Sequence, residues 1–318
     1  MQLVHHNINF KKDAQEEQIK RGHKKMNMIT SKVILFDPQK WGTQQRFQHF
    51  YSTTYSFNRS TQYSINGSGN HFYKALEIIE VAKEFSPRLS EDQDELEEKG
   101  YTNSIRSKQL SALIEAIILE FYSSIDCTRH VVTTIYKKHQ GVKESTRKFF
   151  QAAFDDRIAE TVPSEIRDAF KAAQWYDQLR RIRDALTHSD IGSCHLDKTS
   201  QIISYMHSGL GDNKRAFIIK DIFAYLATLK IQINQFTGKV FNCLNATLLD
   251  KEVRLICGFF NGFVYSRFVR SSEAINFNSG KCNAWFDNSA ANCPFADKCD
   301  AYNRKVVDHR HIGILMKK

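Results

Sequence analysis

The sequence predicts a mainly α protein: a helical bundle, preceded by a mixed N-terminal region and followed by a small β, cysteine-bearing segment. Three observations carry this expectation. Between Tyr101 and Asn245 apolar residues recur at three- and four-residue steps, the repeat that lines one face of an α-helix. The 318 residues include only 14 Gly and 4 Pro, too few for a turn-dense β architecture. After Lys251 the pattern changes to an aromatic and β-branched run, Val253–Val269, with Asn261-Gly262 in its middle, which signals a hairpin. The expected division is therefore residues 1–100, 101–250 and 251–318.

In chain order, Ser31–Asp37 (SKVILFD) has the composition of a short buried strand stopped by Pro38. Tyr51–Gly69 is rich in Ser, Thr, Tyr and Asn and ends in Asn66-Gly67-Ser68-Gly69, a turn signal. It is no phosphate loop, since the Lys-Ser/Thr that would meet phosphate and metal is missing. Phe72–Phe85 has helical spacing, and Glu91–Glu98 then holds six acids in eight residues, the mark of a solvated helix face or a linker. Leu110, Leu113, Ile114, Ile117, Ile118, Phe121, Tyr122 and Ile125 predict one long helix from about Ser107 to His139. A second follows Pro163-Ser164, with Glu165 favouring the helix dipole, and carries Ile166, Phe170, Ala173, Tyr176, Leu179, Ile182 and Leu186. A third spans Ile218 to Leu244. Three amphipathic helices with nothing else to cover their stripes predict a bundle.

Lys and Arg number 45 against 35 Asp and Glu, a net charge of +10 with a pI near 9.2. That balance favours a polyanionic partner, nucleic acid first, although a basic protein kept soluble by its own charge has the same composition. The most apolar stretches are interrupted, Leu110–Ile125 by Glu115 and Glu120, Phe217–Ile233 by Lys220, Asp221 and Lys230. Neither reaches the roughly 20 apolar residues a membrane span needs. Met1–Lys12 shows no apolar signal region, and seven irregularly spaced cysteines do not form a disulfide framework, so a reducing cytoplasm is expected.

The first chemical candidate is Arg183 with His188, late in the second amphipathic segment. An imidazole titrating near ~6.5 can take or give a proton at cellular pH. A guanidinium offers a charged planar fork to phosphate oxygens as negative charge builds. RNA brings its own nucleophile, the 2′-hydroxyl. Spacing alone is weak support: 18 Arg and 12 His in 318 positions give about 0.7 such pairs by chance, and Arg304 with His309 forms a second. The alternative is a basic, solvent-facing helix end.

Context adds to the spacing. Tyr176-Asp177-Gln178-Leu179-Arg180-Arg181-Ile182-Arg183-Asp184-Ala185-Leu186-Thr187-His188 resembles the signature of the HEPN family (higher eukaryotes and prokaryotes nucleotide-binding domains), with Asp184 at its polar position. Glu120–Asp126 (EFYSSID) is similar to a helix that packs against that motif, and the resemblance covers about residues 101–248. It implies a metal-independent endoribonuclease of toxin–antitoxin or antiphage defence systems, active as a homodimer with its two motifs facing each other. Arg183 would stabilise the phosphorane, His188 would transfer protons and Asp184 would orient one of them. Asp126 is a weaker candidate, whose alternative is a partly exposed acid paired with a Lys or Arg. Inactive relatives of the family leave open a non-catalytic RNA-binding or adaptor protein with a HEPN-like dimerisation core.

The second candidate is Cys282-x10-Cys293-x5-Cys299. The piece Cys293-Pro294-Phe295-Ala296-Asp297-Lys298-Cys299 resembles the middle of CCCH zinc fingers, which implies a structural zinc and contact with single-stranded RNA. Asn303 stands where that family has its His ligand, so His309 or His311 would close the site. Unliganded thiols in a loop are the alternative. Phe295, Tyr302 and Trp285 would then stack on bases or pack the module. Cys127, Cys194, Cys243 and Cys257 have apolar surroundings and are expected to be buried, with Cys194-His195 in a loop. The expected partners are RNA, a second copy of the chain and an antitoxin or defence-complex protein, with no membrane.

Overall fold

The computed structural model describes residues 42–188, 191–208, 217–260, 263–273, 275–283 and 293–304. The expected strand at Ser31–Asp37, the Asn261-Gly262 turn, Trp285, His309 and His311 lie outside the described residues. One compact unit spans Thr43–Thr247, and a second holds the residues from Leu248 onward.

In the larger unit, α1 (Gly42–Phe50), α2 (Arg59–Phe85) and α3 (Leu89–Lys99) precede the long α4 (Ile105–Tyr136). Then come α5 (Thr146–Phe154), α6 (Ser164–Lys171), α7 (Tyr176–His188), strands β1 (Ser193–Leu196), β2 (Ile203–His207) and β3 (Phe217–Ile219), and α8 (Ile222–Asn245). The fold is mainly α, with two small antiparallel sheets in the C-terminal half of the chain. Among the described residues no helix is long and apolar enough to cross a membrane.

The turn expected at Asn66–Gly69 is instead the middle of α2. Its small residues let α2 lie close against α4. A Cβ on Gly67 would come within 2.8 Å of the Cys127 sulfur. The Ser68 hydroxyl meets that of Thr128 at 2.7 Å, and the Ser124 hydroxyl donates to the Ser68 carbonyl at 2.6 Å. Tertiary packing thus overrides the local turn preference, as it does elsewhere for weak propensities. α2 starts at Asn58, whose side chain accepts from the Thr61 amide at 2.9 Å.

The acidic run is α3, a mostly solvated helix, and one of its acids has a structural task. Asp92 accepts the amides of Arg106 (3.1 Å) and Ser107 (2.8 Å), the first turn of α4. Ser104, at the start of that helix, sits at φ 53° and gives no side-chain cap. Asp92 is therefore the cap, supplied from another helix. Asp92→Ala should cost about 0.5–2 kcal/mol in urea unfolding, with Asp92→Asn recovering much of it. No measurable change in midpoint would show that water satisfies those amides equally well.

The single helix expected after Pro163 is two, α6 and α7, broken over Ala172–Trp175. The break lets rings on both helices reach one partner. Phe150 lies 4.9 Å from Phe170 and stacks on Tyr176 at 3.7 Å and 7°, with Phe236 of α8 at 5.8 Å. All but Phe236, 4% exposed, are fully buried. The third expected helix also starts later. Ile218 and Ile219 belong to β3, which pairs with Tyr205–His207. α8 begins after Asp221, whose carboxylate accepts the Ala224 amide at 2.9 Å.

The smaller unit contains β4 (Glu252–Phe260), β5 (Phe263–Arg270) and β6 (Lys281–Cys282) in an antiparallel sheet of order β4-β5-β6, and the short α9 (Asp300–Asn303). β4 and β5 are the expected hairpin, with a register shift between Ile256 and Gly258 that places a bulge at Cys257.

Candidate active site

α7 carries Arg180, Arg183, Asp184 and His188 on one helix, fixed to the bundle by its buried Tyr176, Leu179 and Ile182. The Arg183 guanidinium lies over the Tyr122 ring of α4, 3.9 Å from its centroid. Such a cation–π contact contributes roughly 0.5–2 kcal/mol, and the planar fork gives it a set orientation. The Tyr122 hydroxyl is 3.3 Å from that of Tyr176, and the two rings stack at 6.1 Å. Burial, followed by the Tyr122 hydroxyl, drives the Tyr176 phenol well above its ordinary range, so it stays neutral.

Asp184 bridges two arginines, meeting Arg180 Nη1 at 2.9 Å and Arg183 Nη1 at 3.0 Å. Arg180 also reaches Asp177 at 3.5 Å. Asp184 thus positions the guanidinium groups. The Arg183 side chain is 28% exposed, and among the described residues its buried Nε meets no acceptor. The exposed part of the Arg183 side chain, rather than its buried Nε, is what an anion approaching from solvent can meet. His188 is the last residue of α7. A helical backbone puts it about 140° round the axis from Arg183 and about 7.5 Å along it.

Asp126 takes the alternative foreseen for it. Its carboxylate pairs with the buried Arg129 at 2.8 Å and accepts from the Thr146 hydroxyl, tying α4 to α5. Burial alone would raise this carboxyl, but the hydrogen bonds from Arg129 and Thr146 outweigh it and hold it below its ordinary value. Cys194-His195 is in strand β1 rather than a loop. Cys194 is 1% exposed and its thiol is pushed up to about 11, chiefly by burial, which leaves it a poor nucleophile. Ser107 holds its backbone, donating to the Cys194 carbonyl at 2.7 Å and accepting its amide at 3.1 Å.

Sequence patterning did not assign Tyr122 and Tyr176 beyond core packing, yet both support Arg183. It also missed Glu120, which receives His71 Nδ1 at 2.6 Å and Lys74 at 2.5 Å. That cluster ties α2 to α4.

In the smaller unit, Cys257 and Cys282 share a buried cluster with Phe260 and Tyr265, and Cys293, Phe295 and Tyr302 pack against it. Cys299 is 6% exposed, and its sulfur lies 3.6 Å from Arg267 Nη2. Among the described residues, no group of three or more His, Cys, Asp or Glu stands in a metal-holding arrangement. Phe295 packs edge-on to Phe260 at 5.2 Å and Phe277 at 6.2 Å, as a core ring of the module. Arg304 is committed to the backbone carbonyls of Gly280 (3.1 Å) and Asn278.

No family model matches the chain, and neither a curated protein nor a solved structure does. The residues of the site are thus the sole ground for reading its chemistry.

Proposed function

We propose that the protein is a metal-independent endoribonuclease of the HEPN type, with Arg183 and His188 as its catalytic pair and Asp184 as a positioning residue. The observation that supports this most is the state of Arg183. It is stacked on Tyr122, braced by Asp184 and 28% exposed, a preorganised cation near a helix end that also bears Arg180. Cations placed before the reaction stabilise developing charge at little reorganisation cost.

In this reading an imidazole takes the proton of the RNA 2′-hydroxyl, the O2′–P bond forms and the P–O5′ bond breaks. The 5′-oxygen receives its proton from a second, protonated imidazole, and Arg183 holds the non-bridging oxygens. Two imidazoles require two motifs, so the working form is a homodimer whose two-fold axis passes beside α7. The angular separation of Arg183 and His188 on one helix favours such a composite site. A basic chain suits an RNA substrate, and the cellular setting that fits is antiphage defence or a toxin held by an antitoxin.

The rival reading, a non-catalytic RNA-binding or adaptor protein, draws on the Asp184 carboxylate, which already neutralises part of the Arg183 charge. Cleavage assays separate the two. RNA should be cut and DNA spared, and EDTA should leave the initial rate nearly intact. Robust cutting of DNA, or complete dependence on added magnesium, would overturn the ribonuclease reading.

A further inference from the structure

We propose that Cys257, Cys282, Cys293 and Cys299 form a tetrathiolate zinc site that holds the C-terminal unit together. It rests on the zinc reading of Cys282, Cys293 and Cys299 and gives that site Cys257, rather than His309 or His311, as its fourth ligand.

The sheet brings these residues into one region; as placed, no three of them stand in a metal-holding arrangement, so zinc would have to draw the sulfurs together. Cys282 is opposite Arg267 in the β5–β6 register, so both side chains lie on the same face. On β4 strict alternation breaks at the bulge, where exposed Ile256 is followed by buried Cys257 and Gly258 opposite Tyr265. Cys257, two residues after Leu255, follows the alternation onto the face that Leu255, Arg267 and Cys282 share, and joins the cluster with Tyr265 and Cys282. The segment carrying Cys293 and Cys299 then covers that cluster, with Phe295 against Phe260.

Two donors are already aimed at sulfur. Arg267, 2% exposed, points Nε at the Cys257 sulfur (2.9 Å) and Nη2 at that of Cys299 (3.6 Å), while Nη1 bonds the Phe277 (2.7 Å) and Ser279 (2.9 Å) carbonyls. The Phe295 amide donates to Cys293. Donors of this kind favour thiolates and orient metal ligands. The apolar core they surround is small, with Cys257, Phe260, Tyr265 and Cys282 as its buried members. Units with so little core are commonly held by metal, and four soft sulfurs select zinc over hard cations.

X-ray absorption at the zinc edge, on full-length protein purified without added metal, tests this. The expected result is one zinc per chain with four sulfurs at about 2.3 Å. Cys257→Ser should strip zinc at least tenfold faster to a chelator, whereas His309→Ala and His311→Ala should not change the rate. Three sulfurs plus one nitrogen would overturn the role of Cys257 while keeping zinc on the other three cysteines. Less than a tenth of an equivalent of zinc would overturn both. The wild-type spectrum decides even if Cys257→Ser fails to fold.

Discussion

Arg183→Ala should lower RNA cleavage by about 10²–10³-fold, the loss seen when one preorganised donor is removed from a developing oxyanion. His188→Ala should lower it by about 10²–10⁴-fold, the usual contribution of general acid–base catalysis. Because the two act on one transition state, the double variant should be little slower than the worse single one. Arg183→Lys keeps the charge but loses the planar fork that stacks on Tyr122 and reaches Asp184, so it should restore little. Rates are measured at saturating enzyme on a labelled RNA, with circular dichroism confirming that each variant folds. Unchanged cleavage in both single variants would remove this pair from the chemistry.

The largest stability effect is expected at Phe150. Its ring is fully buried, stacked on Tyr176 and flanked by Phe170 and Phe236, so Phe150→Ala leaves a cavity where four helices meet. Truncations of this kind cost about 3–5 kcal/mol, against a typical total of about 5–15 kcal/mol. For a unit of this size the melting temperature should fall by about 6–20 °C. Tyr176 also places its hydroxyl beside that of Tyr122, the ring under Arg183, so activity should fall with stability. A loss below about 1 kcal/mol would mean that the stack is not the centre of the bundle.

Much of the helical unit was legible because its helices bury a stripe. The repeat from Leu110 to Ile125 is enough for α4, and of the eight residues used to predict it all but Leu113 are buried. Where the same apolar face continues through a change of direction, periodicity cannot see the break. Ala173 and Tyr176 remain buried although the helix stops between them. At Gly67-Ser68-Gly69 the local signal pointed to a turn, and only the close approach of Cys127 and Thr128 explains small residues inside a helix. The sheet of β1–β3 has strands of three to five residues, too short for an alternation signal. Asp221 caps α8, and the apolar run that continues back through Ile218 and Ile219 belongs to β3.

At the candidate site, Arg183 and Asp184 were legible from residue type and spacing, but the support of Arg183 was not. Tyr122 precedes it by 61 positions and meets it only because α4 packs against α7. Cys257 was assigned to the core for a similar reason. It stands 25 residues before Cys282 in an apolar strand, and only the pairing of β4 with β5 and of β5 with β6 brings it to the other cysteines.

The chemistry of the cut ends tests the central claim most directly. Mass spectrometry of the first products of a defined RNA, cut by the wild-type protein in EDTA, reports which oxygen attacked. Attack by the 2′-hydroxyl leaves a 2′,3′-cyclic phosphate on one fragment and a 5′-hydroxyl on the other, and a single 2′-deoxy residue at the cut should abolish the reaction. Fragments carrying a 5′-phosphate, or undiminished cleavage of the 2′-deoxy substrate, would show that water attacked instead and would contradict the roles given to Arg183 and His188.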